Sequence, residues 1–176
     1  MRYYLGLGSN MGDRERYLRQ ALDMVGAVDG ITVAAVSSIY ETVPVGGPEQ
    51  RDYCNAVVAI ETGMTPRLVL ETMLRIEKSL GRTRETRWGP RTIDIDVLMA
   101  GDLVVREEGL EIPHPRYRER AFVLAPFAEI ASEERDPETG STIGDIARGI
   151  DASGVRKTGS LAGYTTEYRD KNGDCI

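Results

Sequence analysis

The sequence predicts an α+β protein in which an antiparallel sheet carries two helices on one face. Four segments rich in apolar and β-branched residues predict strands, and two amphipathic segments between them predict helices. Their order is β-α-β-β-α-β, and alternation with one direct strand-to-strand connection is typical of an α+β fold. The 176 residues suit one domain with its own hydrophobic core.

Each predicted strand is a run of apolar and β-branched residues bounded by residues that favour turns. These strands cover residues 3–7, 31–40, 53–62 and 92–99. The first strand is predicted to end in a turn at Gly8, Ser9 and Asn10. A loop over residues 42–51 separates the second strand from the third, because its Gly46-Gly47-Pro48 segment does not suit the interior of an element.

Two predicted helices connect the strands. The first starts near Asp13 and ends near Gly26, with apolar residues at helical intervals on one face. The second starts at Thr65-Pro66, a capping hydroxyl followed by proline at the first helical position, and ends at Gly81. With both helices on one face of the sheet, the predicted arrangement is ferredoxin-like.

Beyond the fourth strand, the sequence predicts a C-terminal extension made of a hairpin and helices. The hairpin lies around Gly101-Asp102, one helix covers about residues 118–130, and a short helix covers residues 143–150. Residues 151–176 are rich in Gly, Ser, Thr and charged residues without an apolar period, which predicts a loosely packed tail. The predicted organisation is one domain over residues 1–150 followed by this tail.

Composition and charge argue against several functional classes. The formal net charge is -6, whereas binding to nucleic-acid backbones needs a basic surface, so we expect no nucleic-acid partner. The apolar runs are too short to cross a bilayer, and we identify no cleavable signal before the first strand. The two cysteines do not suggest a disulfide framework. We therefore expect a cytoplasmic protein without a membrane partner.

The sharpest chemical feature is a pair of carboxylates at Asp94 and Asp96. On a strand, residues two apart share a face and lie roughly 6.5 Å apart along the chain. Two like charges so close repel each other unless a cation or hydrogen bonds compensate them. Two oxygen ligands suit Mg²⁺, which completes its shell with water and substrate phosphates. Taken alone, an Asp-x-Asp triplet favours the plainer interpretation of a solvated sheet surface.

The segment before this strand changes that interpretation. In an otherwise acidic protein, this loop contains four arginines, Arg82, Arg84, Arg87 and Arg91. Carboxylates that hold a metal beside such a loop suit phosphoryl transfer, in which the protein mainly positions the substrate and neutralises charge. The residues therefore predict a Mg²⁺-dependent transfer of a phosphoryl-type group from a nucleotide. Trp88, in the same loop, either anchors the loop on the core or closes over a substrate.

Three further features are open to a structural or a functional interpretation. His114, the single histidine, lies between two prolines and is followed closely by three arginines, which favours an anion site over a plain surface position. Tyr53 and Asn55 share a face of a strand and suit either a flat heterocycle or an ordinary sheet surface. The glycine-rich segment 6–12 lacks the Lys-Ser/Thr of a P-loop, so we assign its glycines to a tight turn.

Several motifs occur together in one order. They are Gly-Ser-Asn-Met-Gly-Asp at 8–13, Thr42-x-Pro44-x-Gly46 before Gln50 and Asn55, Arg82-x-Arg84, Arg87-Trp-Gly-Pro-Arg-Thr-Ile-Asp-Ile-Asp96, and Pro113-His-Pro-Arg followed by Glu119-Arg-Ala-Phe-Val-Leu124. In combination, over residues 3–150, they closely resemble the 6-hydroxymethyl-7,8-dihydropterin pyrophosphokinases of folate biosynthesis. That family is ferredoxin-like, in agreement with the predicted element order.

The resemblance implies transfer of the terminal pyrophosphoryl group of ATP to the hydroxymethyl oxygen of 6-hydroxymethyl-7,8-dihydropterin, with release of AMP. Asp94 and Asp96 would bind two Mg²⁺ ions, and catalysis would depend on these carboxylates together with Arg82 and Arg91. The implied ATP-binding residues are Glu77, Arg82, Arg84, Arg91, His114 and Arg120. The implied pterin-binding residues are Thr42, Val43, Pro44, Val45, Tyr53, Asn55, Trp88 and Phe122. We expect a monomer whose partners are these two small molecules.

Two other functions share some of these features. A nucleotidyltransferase also uses strand carboxylates and Mg²⁺, but its reaction occurs at the α-phosphorus and releases pyrophosphate. The second is a ferredoxin-like binding module without catalysis, and an RNA-binding module of this kind would have paired aromatic residues on its sheet and a basic surface. The acidic composition and the carboxylate pair argue against the RNA-binding module. The released product, AMP or pyrophosphate, separates the other two reactions.

Overall fold

The computed structural model describes residues 1–43, 51–82 and 91–161. In chain order, the elements are β1 (Arg2–Ser9), α1 (Arg14–Gly26), β2 (Ile31–Val36), β3 (Ser38–Thr42), β4 (Tyr53–Thr62), α2 (Pro66–Ser79), β5 (Asp94–Ala100), β6 (Val105–Glu107), β7 (Leu110–Ile112), α3 (Ala121–Ala131), α4 (Ile143–Arg148) and β8 (Val155–Ser160). The mixed α/β composition with an antiparallel sheet confirms the predicted class. Across the described residues, none of the helices has the length and apolar character needed to span a bilayer.

The main sheet is antiparallel, with β1 and β4 in its interior. In spatial order its strands are β5, β1, β4, β3 and β8, and β2 pairs with the other half of β4. The sequence predicted β2 and β3 as one strand over residues 31–40. Ser37 divides them, because its Oγ accepts a hydrogen bond from the Val57 N–H at 2.9 Å and interrupts the regular ladder.

Two hydrophobic clusters lie on opposite faces of this sheet. On one face, α1 and α2 cover strand side chains such as Leu5 and Val58. On the other face, α3 and α4 cover Tyr4 and Val57, and the Tyr4 ring lies 4.8 Å from the ring of Phe127. The predicted placement of α1 and α2 on one face is confirmed. The extension makes a third layer, which leaves only part of the second face available for a site.

A β-bulge in β5 determines which face its last side chains reach. The pairing of β1 with β5 shifts register, so that Leu5 lies opposite Val97 whereas Tyr4 lies opposite Met99. Regular alternation along the predicted strand over residues 92–99 puts Met99 on the same face as Val97, towards α1 and α2. This prediction is wrong, because the extra residue Leu98 reverses the alternation and Met99 is buried in the cluster of α3 instead.

Strand β8 extends the sheet beyond β3, within the segment for which the sequence predicted a loosely packed tail. Its residues pair with Ser38–Thr42, and the following Leu161 is fully buried. Most β8 side chains are exposed, so backbone pairing holds the strand and no apolar alternation reveals it. The strand corrects the expectation for residues 155–160. Residues 162–176 lie outside the described residues, and the division of the chain at residue 150 stays a prediction.

A buried carboxylate fixes the segment around the start of α3. Asp136 is fully buried and accepts hydrogen bonds from the Tyr117 hydroxyl and from Arg118 Nε. It also accepts the backbone N–H groups of Glu138, at 2.8 Å, and Thr139, at 3.0 Å. Burial by itself raises the pKa of this carboxyl, but the four donors outweigh it and lower the pKa to about 2.

We expect Asp136→Asn to lower the free energy of unfolding at neutral pH by about 2 kcal/mol, because Arg118 loses its buried anionic partner. The folded-state pKa of about 2 lies below the ordinary value of 3.8, so the ionised carboxylate stabilises the fold above about pH 4. This contribution is lost as the pH falls from about 4 to about 2.

Urea unfolding of the native protein and of Asp136→Asn, from neutral pH down to about pH 3, measures this difference. Asp29→Asn, which changes an exposed carboxylate, is the matched control. A stability difference that stays constant across this pH range would contradict the assignment.

Candidate active site

Strand β5 places the two carboxylates on the sheet face opposite α1 and α2. Ile95 between them is buried among the side chains that α1 and α2 cover, whereas the Asp94 and Asp96 side chains are 25% and 42% exposed. In the pairing of β1 with β5, Gly8 lies opposite Asp94 and Gly6 lies opposite Asp96. Because directly paired residues of neighbouring strands share a face, two positions without side chains lie beside the carboxylates.

At Gly6 the Leu98 side chain fills this space, with Cδ2 3.2 Å from where a Cβ would lie, so the bare strip of sheet surface begins at Gly8 and continues towards β4. Gly8 is also paired with Asn55, and a Cβ atom at Gly8 would lie 3.2 Å from Asn55 Oδ1. The sequence assigned these glycines to a tight turn, but both lie inside β1. Within this segment the left-handed φ of 56° belongs to Gly12 alone. The missing side chain makes room for Leu98 at Gly6, and at Gly8 it leaves the strand backbone open to close approach.

The predicted pterin-binding residues of β3 and β4 share this face with the bare strip. Thr42 lies opposite Tyr53, and Asn55 lies opposite Tyr40. Both Thr42 and Asn55 are buried, and Asn55 Nδ2 donates a hydrogen bond to Thr42 Oγ1 at 3.0 Å. The Tyr53 side chain is half-buried. A hydroxyl, a carboxamide and an aromatic ring thus converge beside Gly8, and hence beside the carboxylate strand.

Two of the predicted phosphate-binding arginines contact Asp94. Arg82 Nη2 lies 2.7 Å from Asp94 Oδ1, and Arg91 Nη1 contacts Asp94 Oδ2. The Arg91 backbone N–H also donates to Asn10 Oδ1 at 2.8 Å, which fastens Arg91 to the residue that follows β1. Each oxygen of Asp94 therefore has a cationic partner, as the repulsion between neighbouring carboxylates requires.

Glu77 connects helix α2 to the carboxylate strand. Its side chain is 2% exposed, its Oε1 accepts the Ile95 N–H at 2.7 Å, and its Oε2 contacts Arg82. Burial raises the pKa of Glu77 to about 7, although Ile95 N–H and Arg82 oppose this shift. Because β5 is an edge strand, Glu77 supplies a partner that the sheet does not. Its predicted contact with ATP stays a prediction.

An open pocket of about 430 Å³ lies on the other side of Asp96. Its walls come from α2, from the β6–β7 hairpin and from the loop of His114, and they combine apolar Leu70 and Leu110 with charged Arg106. The sequence did not single out these last three residues. Elements distant in the chain form the walls, so no linear pattern marks them.

The imidazole of His114 is held in one orientation at the edge of this pocket. The His114 backbone N–H donates to Leu98 O at 2.8 Å, and its Nδ1 accepts the Arg116 N–H at 3.1 Å. The ring proton of neutral His114 therefore lies on Nε2. Burial lowers the pKa of His114, although the Asp96 charge opposes this shift, so the neutral form predominates at neutral pH.

Arg120 lies near both Asp96 and Phe122. Arg120 Nη1 is 3.9 Å from Asp96 Oδ2, and the Arg120 guanidinium lies 5.7 Å from the centre of the Phe122 ring. A predicted ATP-binding residue therefore lies next to a predicted pterin-binding residue and also near Asp96. The exposed Val43, another predicted pterin contact, lies just beyond the end of β3.

Part of the predicted site lies outside the described residues. The predicted residues that lie outside the described ranges are Pro44, Val45, Arg84 and Trp88. The predicted residues that the structure brings together are Thr42, Tyr53, Asn55, Arg82, Arg91, Asp94, Asp96, His114, Arg120 and Phe122.

The carboxylate pair suits Mg²⁺. Within the described ranges, no group of three or more His, Cys, Asp or Glu side chains could hold a metal ion. Asp94 and Asp96, on one face of β5, are a pair of potential carboxylate ligands. Mg²⁺ commonly takes one or two carboxylates, keeps several waters and binds substrate phosphates. Burial and the Asp94 charge raise the pKa of Asp96, so a cation at this position relieves the repulsion.

Comparison with known proteins assigns the chain to a family. The family model for 7,8-dihydro-6-hydroxymethylpterin-pyrophosphokinase (HPPK) matches residues 4–132. The 2-amino-4-hydroxy-6-hydroxymethyldihydropteridine pyrophosphokinase of Bacillus subtilis (strain 168) is 52% identical over 130 residues, which cover 74% of this chain and 78% of that protein. The enzyme of the same name from Methylorubrum extorquens is 47% identical over 159 residues, covering 89% and 98%.

Solved structures share the fold. A crystal structure of Plasmodium falciparum HPPK-DHPS aligns with a TM-score of 0.69 at 16% identity. The alignment covers 84% of this chain but 45% of that longer protein. The family model and the two bacterial relatives confirm the resemblance of the motifs: the chain belongs to the 7,8-dihydro-6-hydroxymethylpterin-pyrophosphokinase family.

Proposed function

We propose that the chain transfers the terminal pyrophosphoryl group of Mg-ATP to the hydroxymethyl oxygen of 6-hydroxymethyl-7,8-dihydropterin and releases AMP. One observation carries the proposal: an open pocket of about 430 Å³ and a bare strip of sheet surface meet at the Asp94–Asp96 pair. Two substrates that bind in these two places would meet beside the carboxylates. Family membership supports the reaction class, and the site geometry supports the position of each substrate.

We also infer that the topology is ferredoxin-like. If β2 and β3 count as one interrupted strand, the spatial order β5, β1, β4, β2/β3 follows from a β-α-β-β-α-β chain. Neighbouring strands are antiparallel, and α1 and α2 pack on the same face. This order brings β1 between the carboxylate strand and the strand of Asn55.

In this proposal, the nucleotide base of ATP lies in the pocket and its triphosphate extends towards Asp96. Leu70 and Leu110 offer apolar surface to a flat base, as the walls of small-molecule sites commonly do. The His114 Nε2–H is a neutral donor, and the Arg120 guanidinium is a cationic one that suits phosphate oxygens.

The pterin lies against the bare strip, with the rings of Tyr53 and Phe122 available to stack on it. Asn55 Nδ2 donates to Thr42, and this hydrogen bond directs Asn55 Oδ1 towards Gly8. In the proposal, Oδ1 accepts a hydrogen bond from an N–H of the pterin ring. The glycine allows a flat ring to lie directly on the strand. Contacts from Val43, Pro44, Val45 and Trp88 stay predictions.

The reaction is an in-line attack of the pterin hydroxyl oxygen on the β-phosphorus of ATP. A new O–P bond forms, the bond between the α,β-bridging oxygen and the β-phosphorus breaks, that oxygen leaves with AMP, and the hydroxyl proton passes to solvent. A loose transition state needs little activation of the nucleophile, so positioning and charge neutralisation dominate. Two Mg²⁺ ions, held by Asp94, Asp96 and the triphosphate, supply charge neutralisation when bound.

Arg82 and Arg91 have a second role in this proposal. In the structure they neutralise Asp94, which is the position that a cation would take. We expect both guanidinium groups to exchange the carboxylate for phosphate oxygens when Mg-ATP binds, because guanidinium groups bind either anion well. Arg84, which follows in the same segment, stays a predicted phosphate ligand.

The reaction is tested by product identification after incubation with Mg-ATP and the hydroxymethyl-dihydropterin. We expect AMP and a pterin diphosphate from the native chain, and a loss of at least about 10³-fold when both Asp94 and Asp96 are changed to Asn or when a chelator removes Mg²⁺. Asp102→Asn, at an exposed carboxylate, is the control. Release of pyrophosphate in place of AMP would support a nucleotidyltransferase instead.

Gly8→Ala tests the position of the pterin. The added methyl group would lie 3.2 Å from Asn55 Oδ1 and cover part of the bare strip. We expect the KM for the pterin to rise by about tenfold while the affinity for Mg-ATP stays within about twofold. Gly26→Ala, whose methyl group would meet Val33 Cγ2 at 3.6 Å, is the matched control. An unchanged pterin KM in a folded Gly8→Ala protein would place the pterin elsewhere.

A further inference from the structure

Arg14, the first residue of α1, bridges two strands where the chain leaves and re-enters the sheet. Its Nη1 lies 2.9 Å from Glu41 Oε1 and donates a hydrogen bond to the Asp52 carbonyl at 2.6 Å. Glu41 is the penultimate residue of β3, and Asp52 directly precedes β4. One guanidinium therefore fixes the spacing between the end of one strand and the start of the next.

The bridge acts from the face of the sheet opposite the candidate active site. Glu41 lies opposite the buried Cys54, which belongs to the cluster under α1, whereas the neighbouring pair Thr42 and Tyr53 points to the other face. Arg14 thus contacts the residues adjacent in sequence to Thr42 and Tyr53 without entering the site. Its influence passes through the backbone.

The charges of this bridge are partly shielded from solvent. The Arg14 and Glu41 side chains are 23% and 16% exposed, so salt screens their attraction less than that of an open surface pair. Glu41 also accepts a hydrogen bond from Arg156 of β8 at 2.5 Å, and Arg156 and Arg14 together lower the pKa of Glu41. The carboxylate is therefore ionised between two arginines at neutral pH.

We infer that Arg14 is a positioning residue for the pterin: by joining Glu41 to Asp52, it holds Thr42, Tyr53 and Asn55 at the spacing that pterin binding requires. The inference rests on the proposed function. It goes beyond that function by assigning a substrate-binding role to a residue on the opposite face of the sheet. The Glu41 end of the bridge also receives β8, a strand that lies outside residues 4–132 matched by the family model.

The short pairing of β3 with β4 explains why a bridge matters here. Next to the site the two strands share three paired positions, Tyr40–Asn55, Glu41–Cys54 and Thr42–Tyr53. A short ladder of backbone hydrogen bonds frays easily at its end. An error of about 1 Å in the position of a binding group can lower the rate by up to about a hundredfold. Fixing both strand ends in advance lowers the ordering cost of substrate binding.

The test compares the binding of two ligands by calorimetry. The dissociation constants of the hydroxymethyl-dihydropterin and of a Mg²⁺ complex of a non-hydrolysable ATP analogue are measured separately for the native chain, Arg14→Ala, Arg14→Lys and Glu41→Gln. We expect Arg14→Ala to weaken pterin binding about tenfold and to leave nucleotide binding within about twofold. Arg14→Lys keeps a charge but not the forked donors, so it should recover only part of the loss.

Arg19→Ala is the matched control, because Arg19 lies on the same helix and pairs with Glu15 at 3.1 Å. Glu41→Gln removes the charge from the other side of the bridge, and it serves as the second variant if Arg14→Ala does not fold. It should weaken pterin binding about threefold, again without changing nucleotide binding.

The outcomes separate this inference from the proposed function. If the native chain binds the pterin and Arg14→Ala binds it equally well, the positioning role is overturned and the proposed function stands. Equal weakening of pterin and nucleotide binding, or the same loss in Arg19→Ala, would also overturn the role, because it indicates a general structural effect. A native chain that does not bind the pterin would overturn the proposed function and this inference together.

Discussion

The repulsion between two carboxylates on an edge strand is the constraint on which the rest of the site depends. Asp94 and Asp96 share one face of β5, and burial together with the neighbouring charge raises the pKa of Asp96. The surrounding side chains offset this repulsion and hold the strand in two ways. Arg82 and Arg91 neutralise Asp94 directly, and Glu77 holds the strand edge through the Ile95 N–H. Protein side chains alone therefore hold Asp94 and the strand that carries both carboxylates.

The same sheet contains glycines in β1 that lower its stability and leave room close to its backbone. Gly6 and Gly8 lie in a central strand, where glycine costs roughly 0.5–1 kcal/mol relative to alanine. The fold offsets this cost with hydrophobic clusters on both faces, where the rings of Tyr4 and Phe127 fix α3 against the sheet. Because α3 and α4 cover only part of the second face, the remainder is open and holds the proposed pterin site. The hydrophobic cluster and the proposed binding site therefore occupy different parts of one sheet face.

Local patterns in the sequence determined the elements and the chemistry they carry. Thr65 caps α2 through its Oγ1, as the sequence predicted, and α1 starts beside Asp13, also as predicted, with Asp13 Oδ1 as its cap. The period of two along a strand was enough to place Asp94 and Asp96 on one face. The ordered motifs were enough to indicate the family. Each cap, each strand face and each single motif depends on residues that are close together in the chain, and the family assignment adds only the order of the motifs.

Only the tertiary structure decided how distant segments meet. Backbone pairing added β8, a bulge at Leu98 moved Met99 to the opposite cluster, and the register of three strands placed Gly8 between the carboxylates and Asn55. The pocket walls and the Arg14 bridge likewise join residues far apart in sequence. Such contacts arise from strand register, burial and packing between elements. These depend on many residues at once, so no local pattern in the sequence reveals them. The sequence determined the components of the site, and the fold determined their distances.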